Sequence, residues 1–345
     1  MAEVEAAAIN QAVDAASAAL VRAQDVHGRW LDFPELGSGS NEWVTGYIGA
    51  ALVGSSTVEA RAAASRAWKS LAAQRRWSGG WGFMPSYPAD SDSTACVLRL
   101  AQSLPLVHRM RTWRARHFLG LHQRLDGGIA TYVWPRFMAF HTKLPESFAG
   151  WCGSHVCVSA NAAAVIGLKG RRRILAYLRS QQLSDGSWRA YWWHDEREYA
   201  TALAASAFAQ AGDCADVSVL QRAVQWACDD CRHRPIPVNS AAPDGSPFAA
   251  ALRLRVLFLG NRQDAAALCE ESLSWLLARQ RNDGTWASAA WLRFPPTEVV
   301  DTTTITDWQV GKLIRAGVMS DSRGLFTTAT VLTALHAAQS TSWWP

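Results

Sequence analysis

The sequence contains few cysteines and no long apolar run. Its seven cysteines are scattered and odd in number, which favours reduced thiols and a cytosolic protein. No hydrophobic stretch approaches the length of a membrane span. Residues 1–23 alternate alanine with acidic side chains, unlike a secretory signal. We therefore expect a cytoplasmic protein without a transmembrane segment.

The sequence also lacks the charge patterns of nucleic-acid-binding proteins and of metal sites. The net charge of +5 is carried almost wholly by Arg, and residues 171–173 form its one basic cluster, which we interpret as the solvated start of a helix. No DDxxD-type magnesium cluster is present. Cys228 and Cys231 form a single CxxC pair, followed by His233, which is a weak zinc signal without a second pair. We expect neither a nucleic-acid partner nor a bound metal.

Tryptophan is unusually frequent, with 18 residues, and its positions reveal a repeat. A turn that contains Gln, Gly and usually Trp recurs along the chain. The copies are QDVHGRW (24–30), QRRWSGGW (74–81), HQRLDGGIATY (122–132), QQLSDGSW (181–188) and QRNDGTW (280–286), with a degenerate PDGSPF at 243–248. Glycine allows the tight turn, and we expect Trp to pack on the preceding helix and donate its N–H to a carbonyl there.

Each turn lies between two segments of helical period. Charged, amphipathic segments precede the turns, at 8–23, 58–75, 107–124, 170–182, 217–232 and 265–281. Apolar, alanine-rich segments follow them, at 42–54, 92–104, 155–167, 199–211, 247–259 and 325–338. Apolar helices are buried on all sides and amphipathic ones on one side, so the alternation predicts two concentric rings. We expect residues 1–345 to form one all-α domain, a single (α/α)6 barrel of inner and outer helices.

Two connections between helices are long, at 129–154 and 287–324. Long connections in a compact fold are usually functional lids or rim structures. Aromatic residues that flank turns near this rim are expected at the entrance of a central cavity. They are Tyr132, Trp134, Trp192 and Trp193.

The segment PADSDSTACVL (88–98) differs from its repeat equivalents because it begins an inner helix with two acids. Asp90 suits a helix N-cap and can also act as a second carboxylate. A carboxylate at Asp92 costs free energy on an apolar helix, which indicates a functional role. Burial and the neighbouring charge of Asp90 are expected to raise its pKa, so that it holds a proton at neutral pH.

Aligning the inner helices predicts which side chains share a level with Asp92. The equivalents of Asp92 are Trp43, Cys157, Tyr199, Phe248 and Phe326, a level that we call the aromatic tier. One turn further, Tyr47 and Asn161 are equivalent to Cys96. We expect these residues to line a cavity around the acid, because aromatic faces attract a cation without reacting with it.

These features resemble a known family. The turns resemble the QW repeats of the squalene–hopene and oxidosqualene cyclases, and PADSDSTACVL resembles the DxDD segment of class II, protonation-initiated terpene cyclases. One barrel, where the triterpene cyclases have two, is similar to the single-domain class II cyclases of shorter isoprenoids. The resemblance implies that Asp92 donates the proton and that Asp90 tunes it, whereas Ser93 replaces the third Asp of the motif.

The resemblance also implies a partner for the acid. The sequence SAN (159–161) resembles the TAH of the hopene-forming cyclases, whose His bonds the catalytic Asp, so Asn161 is the candidate partner. Ser93 is a second candidate donor, and His155, nearer the helix start, is a rival.

The predicted function is acid-initiated cyclisation. Asp92 would protonate the terminal alkene, or an epoxide, of a linear C15–C20 prenyl chain, and the cation would close rings to a polycyclic terpenoid or meroterpenoid. The substrate is either a free diphosphate or a prenylated aromatic compound; no cofactor is expected, and Mg2+ would be needed only for a diphosphate. A lipophilic substrate would place the protein at a membrane surface. The alternatives are a zinc-dependent prenyltransferase-like barrel, a carboxylate-using glycosidase or lyase, and a non-catalytic lipid-binding barrel.

Overall fold

The computed structural model describes residues 2–33, 42–84, 87–105, 112–142, 147–165, 167–194, 196–238, 244–310 and 316–340. Within these ranges, six helices follow one another around an inner ring: α2 (Glu42–Val53), α4 (Ser91–Ser103), α7 (Val156–Ala163), α9 (Glu196–Ala211), α11 (Pro247–Leu257) and α13 (Leu325–Ser340). Each packs against the next, and α13 packs against α2, which closes the ring.

Six further helices surround the ring: α1 (Ala2–Ala23), α3 (Val58–Gln74), α5 (Trp113–Leu121), α8 (Arg171–Ser180), α10 (Val217–His233) and α12 (Arg262–Leu277). Their burial differs from that of the inner helices, as the sequence pattern predicts. In α2 every residue from Glu42 to Gly49 is buried. In α3 the buried residues recur every three or four positions and form one face. The predicted (α/α)6 barrel is confirmed, and we propose that residues 1–345 form one domain because a single ring accounts for all twelve of these helices.

The tryptophans of the turns fix each outer helix to the inner helix that follows it. Trp30, Trp81, Trp188 and Trp286 donate their indole N–H to the carbonyl oxygens of Leu20, Leu71, Leu178 and Leu276 at 2.7 to 2.8 Å. The backbone N–H of the same four residues donates to the hydroxyls of Thr45, Thr94, Thr201 and Thr328. The expected hydrogen bond to the preceding helix is therefore present, and the threonines explain the small-residue signature of the inner helices.

The glutamines of the turns join neighbouring repeats. In the fourth turn, the amide of Gln182 donates to Gly186 O within the turn and to Val219 O of the next outer helix, both at 2.9 Å. Gly186 has φ +92°, and a Cβ there would collide with the carbonyl of Arg222. Turn and helix therefore meet so closely that glycine is required.

Both long connections contribute to one end of the barrel. The first contains α6 (Pro135–Thr142). The second, expected to be a loop, forms a small sheet in which β3 (Trp291–Phe294) pairs antiparallel with β5 (Gly317–Ser320), and β4 (Gln309–Val310) pairs parallel with β5. Arg293 joins this sheet to the ring because its N–H donates to Trp192 O and its guanidinium to Ala190 O, each at 2.7 Å.

Two buried acids hold the second connection against the start of α13. Asp32 accepts backbone N–H bonds from Arg323, Leu325 and Phe326. Asp321 accepts them from Ala289, Ala290 and Thr327. Burial, and then the charge of Asp32, raise the pKa of Asp321 to about 8. These carboxyl groups serve the backbone of the connection.

The indole hydrogen bonds predict a measurable loss of stability. Trp188 is fully buried, so Trp188→Phe removes the indole donor from Leu178 O, which keeps the backbone N–H of Gln181, and leaves a void beside it. We expect the free energy of unfolding to fall by about 2–4 kcal/mol in urea titrations. Trp77→Phe is the matched control, because Trp77 is 95% exposed, and it should change stability by less than about 0.5 kcal/mol. Equal losses in the two variants would contradict this role.

Candidate active site

Asp90 and Asp92 lie at the start of α4, where a short strand pair places them. β1 (Trp81–Gly82) pairs with β2 (Ala89–Asp90), and α4 begins at the next residue. Asp90 is the N-cap: its Oδ1 accepts the backbone N–H of Ser93 at 2.7 Å, and its Oδ2 accepts the Ser93 hydroxyl at 2.8 Å. The side chain of Asp90 is thus used within the first turn, whereas that of Asp92, two residues further on in the same turn, is available to the barrel interior.

Asp92 meets Asn161 of the neighbouring inner helix α7. The Asn161 amide donates to Asp92 Oδ1 at 2.8 Å and also approaches Cys96 Sγ at 3.3 Å. Burial raises the pKa of Asp92, while the Asn161 hydrogen bond and the charge of Arg99 act in the opposite direction. Burial therefore favours the protonated carboxyl, and the Asn161 N–H is placed to donate to the conjugate base.

Asp90 is also held towards its protonated form. Burial raises its pKa to about 7, against the hydrogen bonds from Ser93 and with a contribution from the charge of Asp92. Two neighbouring carboxyl groups with raised pKa values therefore lie at the start of α4, and the charge of Asp92 contributes to the raised pKa of Asp90.

Asp92 lines a cavity of about 460 Å3 at the end of the barrel where the inner helices begin. The wall is mostly aromatic and comes from the ring, the turns and both long connections. It consists of Trp43, Phe83, Met84, Tyr87, Asp90, Asp92, Ser93, Thr131, Tyr132, Trp151, Trp192, Trp193, Leu292, Phe294, Pro295, Pro296 and Thr297. The acid is the chemically reactive group in a chamber whose other surfaces are largely rings and aliphatic groups.

Trp193 forms the floor of this cavity. Its ring stacks on Tyr199 at 4.4 Å, on Phe326 at 5.1 Å and on Phe248 at 5.4 Å between centroids. Trp43 meets Trp193 edge-on at 6.0 Å and stacks on Phe83 at 6.1 Å. The chamber is therefore bounded by a continuous cluster of contacting rings.

Two solved structures resemble this chain over nearly its whole length. A variant of the type II terpene cyclase MstE from Scytonema, in complex with geranylgeranyl dihydroxybenzoate as substrate, is 35% identical with a TM-score of 0.91, over 97% of this chain and 99% of that chain. A protein from Actinoplanes is 33% identical with a TM-score of 0.90, over 96% and 100%. The chain belongs to the type II terpene cyclases.

The family predicted from the turns and the acidic segment is thus confirmed, and the protein is an enzyme, a terpene cyclase. An ent-copalyl diphosphate synthase from Streptomyces platensis shares the fold, at 20% identity and a TM-score of 0.58 over 87% of this chain and 50% of that one. No family model matches the chain. No curated protein matches it either.

The aromatic tier of the cyclase exists, but most of it lies behind the cavity wall. Tyr199, Phe248 and Phe326 lie beneath Trp193, and Cys157 is also fully buried, so only Trp43 of the tier reaches the wall. The reason is that Trp193, which precedes α9 and has no place in the helix alignment, inserts over them. Tyr47 is also outside this wall: its hydroxyl bonds Thr330 Oγ1 at 2.9 Å, and it faces a second cavity.

Two candidate partners of the acid in the cyclase are engaged elsewhere. Ser93 bonds Asp90, because a residue at this place faces the N-cap. His155 bonds Gly150 O at 2.9 Å and the Thr131 hydroxyl at 3.0 Å. Burial lowers the pKa of His155 to about 3, so it is neutral. Asn161 is the candidate that contacts Asp92.

Other predicted positions in the cyclase divide between cavity and surface. Tyr132, Trp192 and Trp193 belong to the cavity wall, whereas Trp134 is 67% exposed on the outside. Among the described residues, no group of three or more His, Cys, Asp or Glu side chains is arranged to hold a metal, and Cys228, Cys231 and His233 form no such group. None of the described helices has the length and apolar character needed to cross a membrane.

Several wall residues of the cyclase were missed by sequence reasoning. Phe83 follows the second turn directly, and Trp151, Leu292 and Phe294 come from the long connections. The sequence feature that could have identified them is the presence of apolar residues in connections that are usually polar, together with Pro295 and Pro296. Repeat alignment does not reach such residues, because the connections have no counterparts in the other repeats.

The raised pKa of Asp90 predicts how stability varies with pH. Because its folded pKa is about 7 and its ordinary value is 3.8, the folded cyclase retains a proton that the unfolded chain releases. This contribution is full below about pH 4 and is lost as pH rises towards 7, with a slope approaching about 1.4 kcal/mol per pH unit. Asp90→Asn keeps a cap acceptor and removes the titration, so the fall in unfolding free energy between pH 5 and 7 should become shallower.

Asp283→Asn is the control for this experiment. Hydrogen bonds from Thr285 lower the pKa of Asp283, so this group is ionised in both states above pH 5. Its replacement should leave the pH slope between 5 and 7 as it is. A slope that is unchanged in Asp90→Asn would contradict the assignment of a raised pKa to Asp90.

Proposed function

We propose that this cyclase uses Asp92 as the general acid that protonates the terminal alkene of a prenyl chain. The observation that supports it is the position of Asp92, whose pKa is raised, in the wall of a largely apolar, ring-lined cavity where the other carboxyl group, Asp90, is used as the N-cap of α4. Protonating an isolated alkene creates a high-energy carbocation, so the donor must be protonated at rest and acidic at the moment of transfer. Burial supplies the first property.

The second property is supported by what surrounds the carboxylate left behind. The N–H of Asn161 lies 2.8 Å from Asp92 Oδ1 and stabilises the negative form. The N-terminal end of α4 adds a favourable dipole, because Asp92 lies in its first turn. The proton moves from the Asp92 carboxyl to the CH carbon of the terminal (CH3)2C=CH unit, and the cation forms on the adjacent dimethyl-substituted carbon. The next double bond attacks that cation and closes a ring, and loss of a proton or capture by a nucleophile ends the sequence.

The rings of the cavity suit the cationic intermediates. Each aromatic face attracts a cation by about 0.5–2 kcal/mol and does not capture it. Trp43, Phe83, Trp192 and Trp193 present such faces around Asp92. A chamber of this shape also holds a flexible polyene in a folded conformation before proton transfer, which removes the orientational part of the barrier.

We propose a prenylated aromatic acid as the substrate class, with a prenyl chain of C15–C20, and a meroterpenoid as the product. MstE is seen with geranylgeranyl dihydroxybenzoate as its substrate and with merosterolic acid A as its product. The identity of 35% over nearly the full length of both chains supports the transfer of this substrate class. A reaction initiated by a proton requires no metal ion. A cytoplasmic location, with access to a lipophilic substrate at a membrane surface, stays a prediction.

Replacing the acid tests the proposal. Asp92→Asn keeps the size of the side chain and removes the transferable proton, so cyclised product from geranylgeranyl dihydroxybenzoate should fall at least about 100-fold. Product analysis by mass spectrometry and chromatography measures this, and circular dichroism verifies the fold. Asp301→Asn is the control, since Asp301 is an exposed cap in the second connection and its loss should leave turnover unchanged. Full activity in Asp92→Asn would end the proposal.

A further inference from the structure

Arg99 lies on the same helix as Asp92, two turns further on, at the start of a second cavity. This distal cavity, of about 480 Å3, occupies the opposite end of the barrel, where the inner helices end. Its lining includes Tyr47, Cys96, Arg99 and Arg255. Positions separated by seven residues share one helix face, so Arg99 points along the same side of α4 as the acid. The sequence pattern gave no role to this arginine.

The guanidinium of Arg99 contacts the partner of the acid. Arg99 Nη1 donates to Asn161 Oδ1 at 3.1 Å, while Asn161 Nδ2 donates to Asp92 Oδ1 at 2.8 Å. The three side chains therefore form a line from the distal cavity to the acid. Asn161 connects them because its amide oxygen accepts from Arg99 and its amide nitrogen donates to Asp92.

The orientation of that amide matters for the acid. An amide has a donor end and an acceptor end, whereas an arginine can only donate. Arg99 can therefore bond only the oxygen end of Asn161, which leaves the N–H2 end for Asp92. If the amide were reversed, its oxygen would face Asp92 and favour the protonated carboxyl over the carboxylate.

We propose that Arg99 is a positioning residue for cyclisation, which holds the Asn161 amide in the one orientation that stabilises the carboxylate left on Asp92 after proton transfer. This inference rests on the proposed role of Asp92 as the general acid. The positive charge of Arg99 acts in the same direction, because it lowers the pKa of Asp92 against the effect of burial. Removing Arg99 should therefore make Asp92 a weaker acid.

Other groups around Asp92 must be distinguished from Arg99 in a titration. On α4 they are Asp90 and Cys96, and on α2 they are Tyr47 and Glu42, which pairs with Arg76 of the second turn. The remaining ones are Cys157 on α7, Tyr199 on α9 and Arg255 on α11. Burial raises the pKa of Cys96 to about 12 and that of Cys157 to about 11, and it raises that of Tyr199 further, so these three stay neutral below pH 9. Asp90, with a pKa of about 7, is a second carboxyl group whose pKa is raised, so its signal has to be distinguished from that of Asp92 by a method that resolves single carboxyl groups.

Arg255 provides a matched control. It lines the same distal cavity as Arg99, but its guanidinium donates a hydrogen bond to Ser206 Oγ at 3.5 Å. Arg255→Met therefore removes an equal charge from the same cavity without touching the Asn161 amide. This comparison separates a general change in the electrostatic field at Asp92 from a specific effect through Asn161.

The experiment measures the pKa of Asp92 directly, by carbon-13 NMR of the aspartate carboxyl groups, with Asp92→Asn and Asp90→Asn used to assign the two signals. Arg99→Met should raise the pKa of Asp92 by roughly one unit, the lower part of the range for loss of a nearby opposite charge. Arg99→Lys keeps a charge and a donor and should restore most of the shift. Arg255→Met should leave the Asp92 pKa unchanged. In the Asn161→Ala background, Arg99→Met should have a clearly smaller effect than in the wild type.

Turnover adds a second readout. With geranylgeranyl dihydroxybenzoate, Arg99→Met should lower kcat several-fold with little change in KM, because a weaker acid protonates more slowly. The alkaline limb of the pH profile should move upwards with the pKa. A purely structural role would lower activity without moving that limb.

The outcomes separate the two proposals. An Asp92 pKa that does not change in a folded Arg99→Met variant overturns the inference, and so does an equal rise in Arg255→Met or an undiminished rise in the Asn161→Ala background. If Arg99→Met does not fold, Arg99→Gln replaces it, and an unchanged pKa there has the same meaning. If the wild type does not turn over the substrate, the proposed function fails, while the pKa comparison still decides about Arg99.

Discussion

The structure depends on one constraint, which is that a carboxyl group has to remain protonated inside a protein and still be a strong acid. Burying a carboxyl is unfavourable for its charged form, so burial alone yields a proton holder that is a poor donor. Asp92, the proposed acid, suits both requirements because the groups that stabilise its carboxylate lie on one side. They are the amide of Asn161, at 2.8 Å, and the first turn of α4. Its other side opens to a chamber of rings that offers little competing solvation.

The double ring of helices makes this arrangement stable. Turn tryptophans fix outer helices to the inner helices that follow them, and turn glutamines join neighbouring repeats, so that the starts of the inner helices meet at one end of the barrel. The acid belongs to one of these starts, and its partner Asn161 lies on the next helix in the ring. Much of the cavity wall comes from the long connections, which are not part of the repeat and can be shaped for a ligand. Buried acids such as Asp321 hold the second connection in place.

The sequence predicted those parts that repeat or that break a repeat. Helix period and turn spacing predicted the barrel, and the acids in PADSDSTACVL predicted the position of the proposed proton donor. Asn161 was found because it occupies the same register as Cys96 on a neighbouring helix. The cavity wall was not predicted well, because Trp193 and Phe294 lie in segments without repeat equivalents. The Ser93–Asp90 bond is local, and N-cap geometry alone could have predicted it. Arg99 carried no signal, since its contact depends on the separation of two helices.

The origin of the initiating proton is the most direct test of this account. The carboxyl of Asp92 exchanges with solvent between turnovers, so in heavy water the enzyme should transfer a deuteron to the CH carbon of the terminal alkene. Mass spectrometry and NMR of the product formed from geranylgeranyl dihydroxybenzoate should then show a single deuterium at the ring methylene derived from that carbon. Cyclised product without deuterium at this position would contradict proton donation by an exchangeable acid and would require another way of starting the reaction.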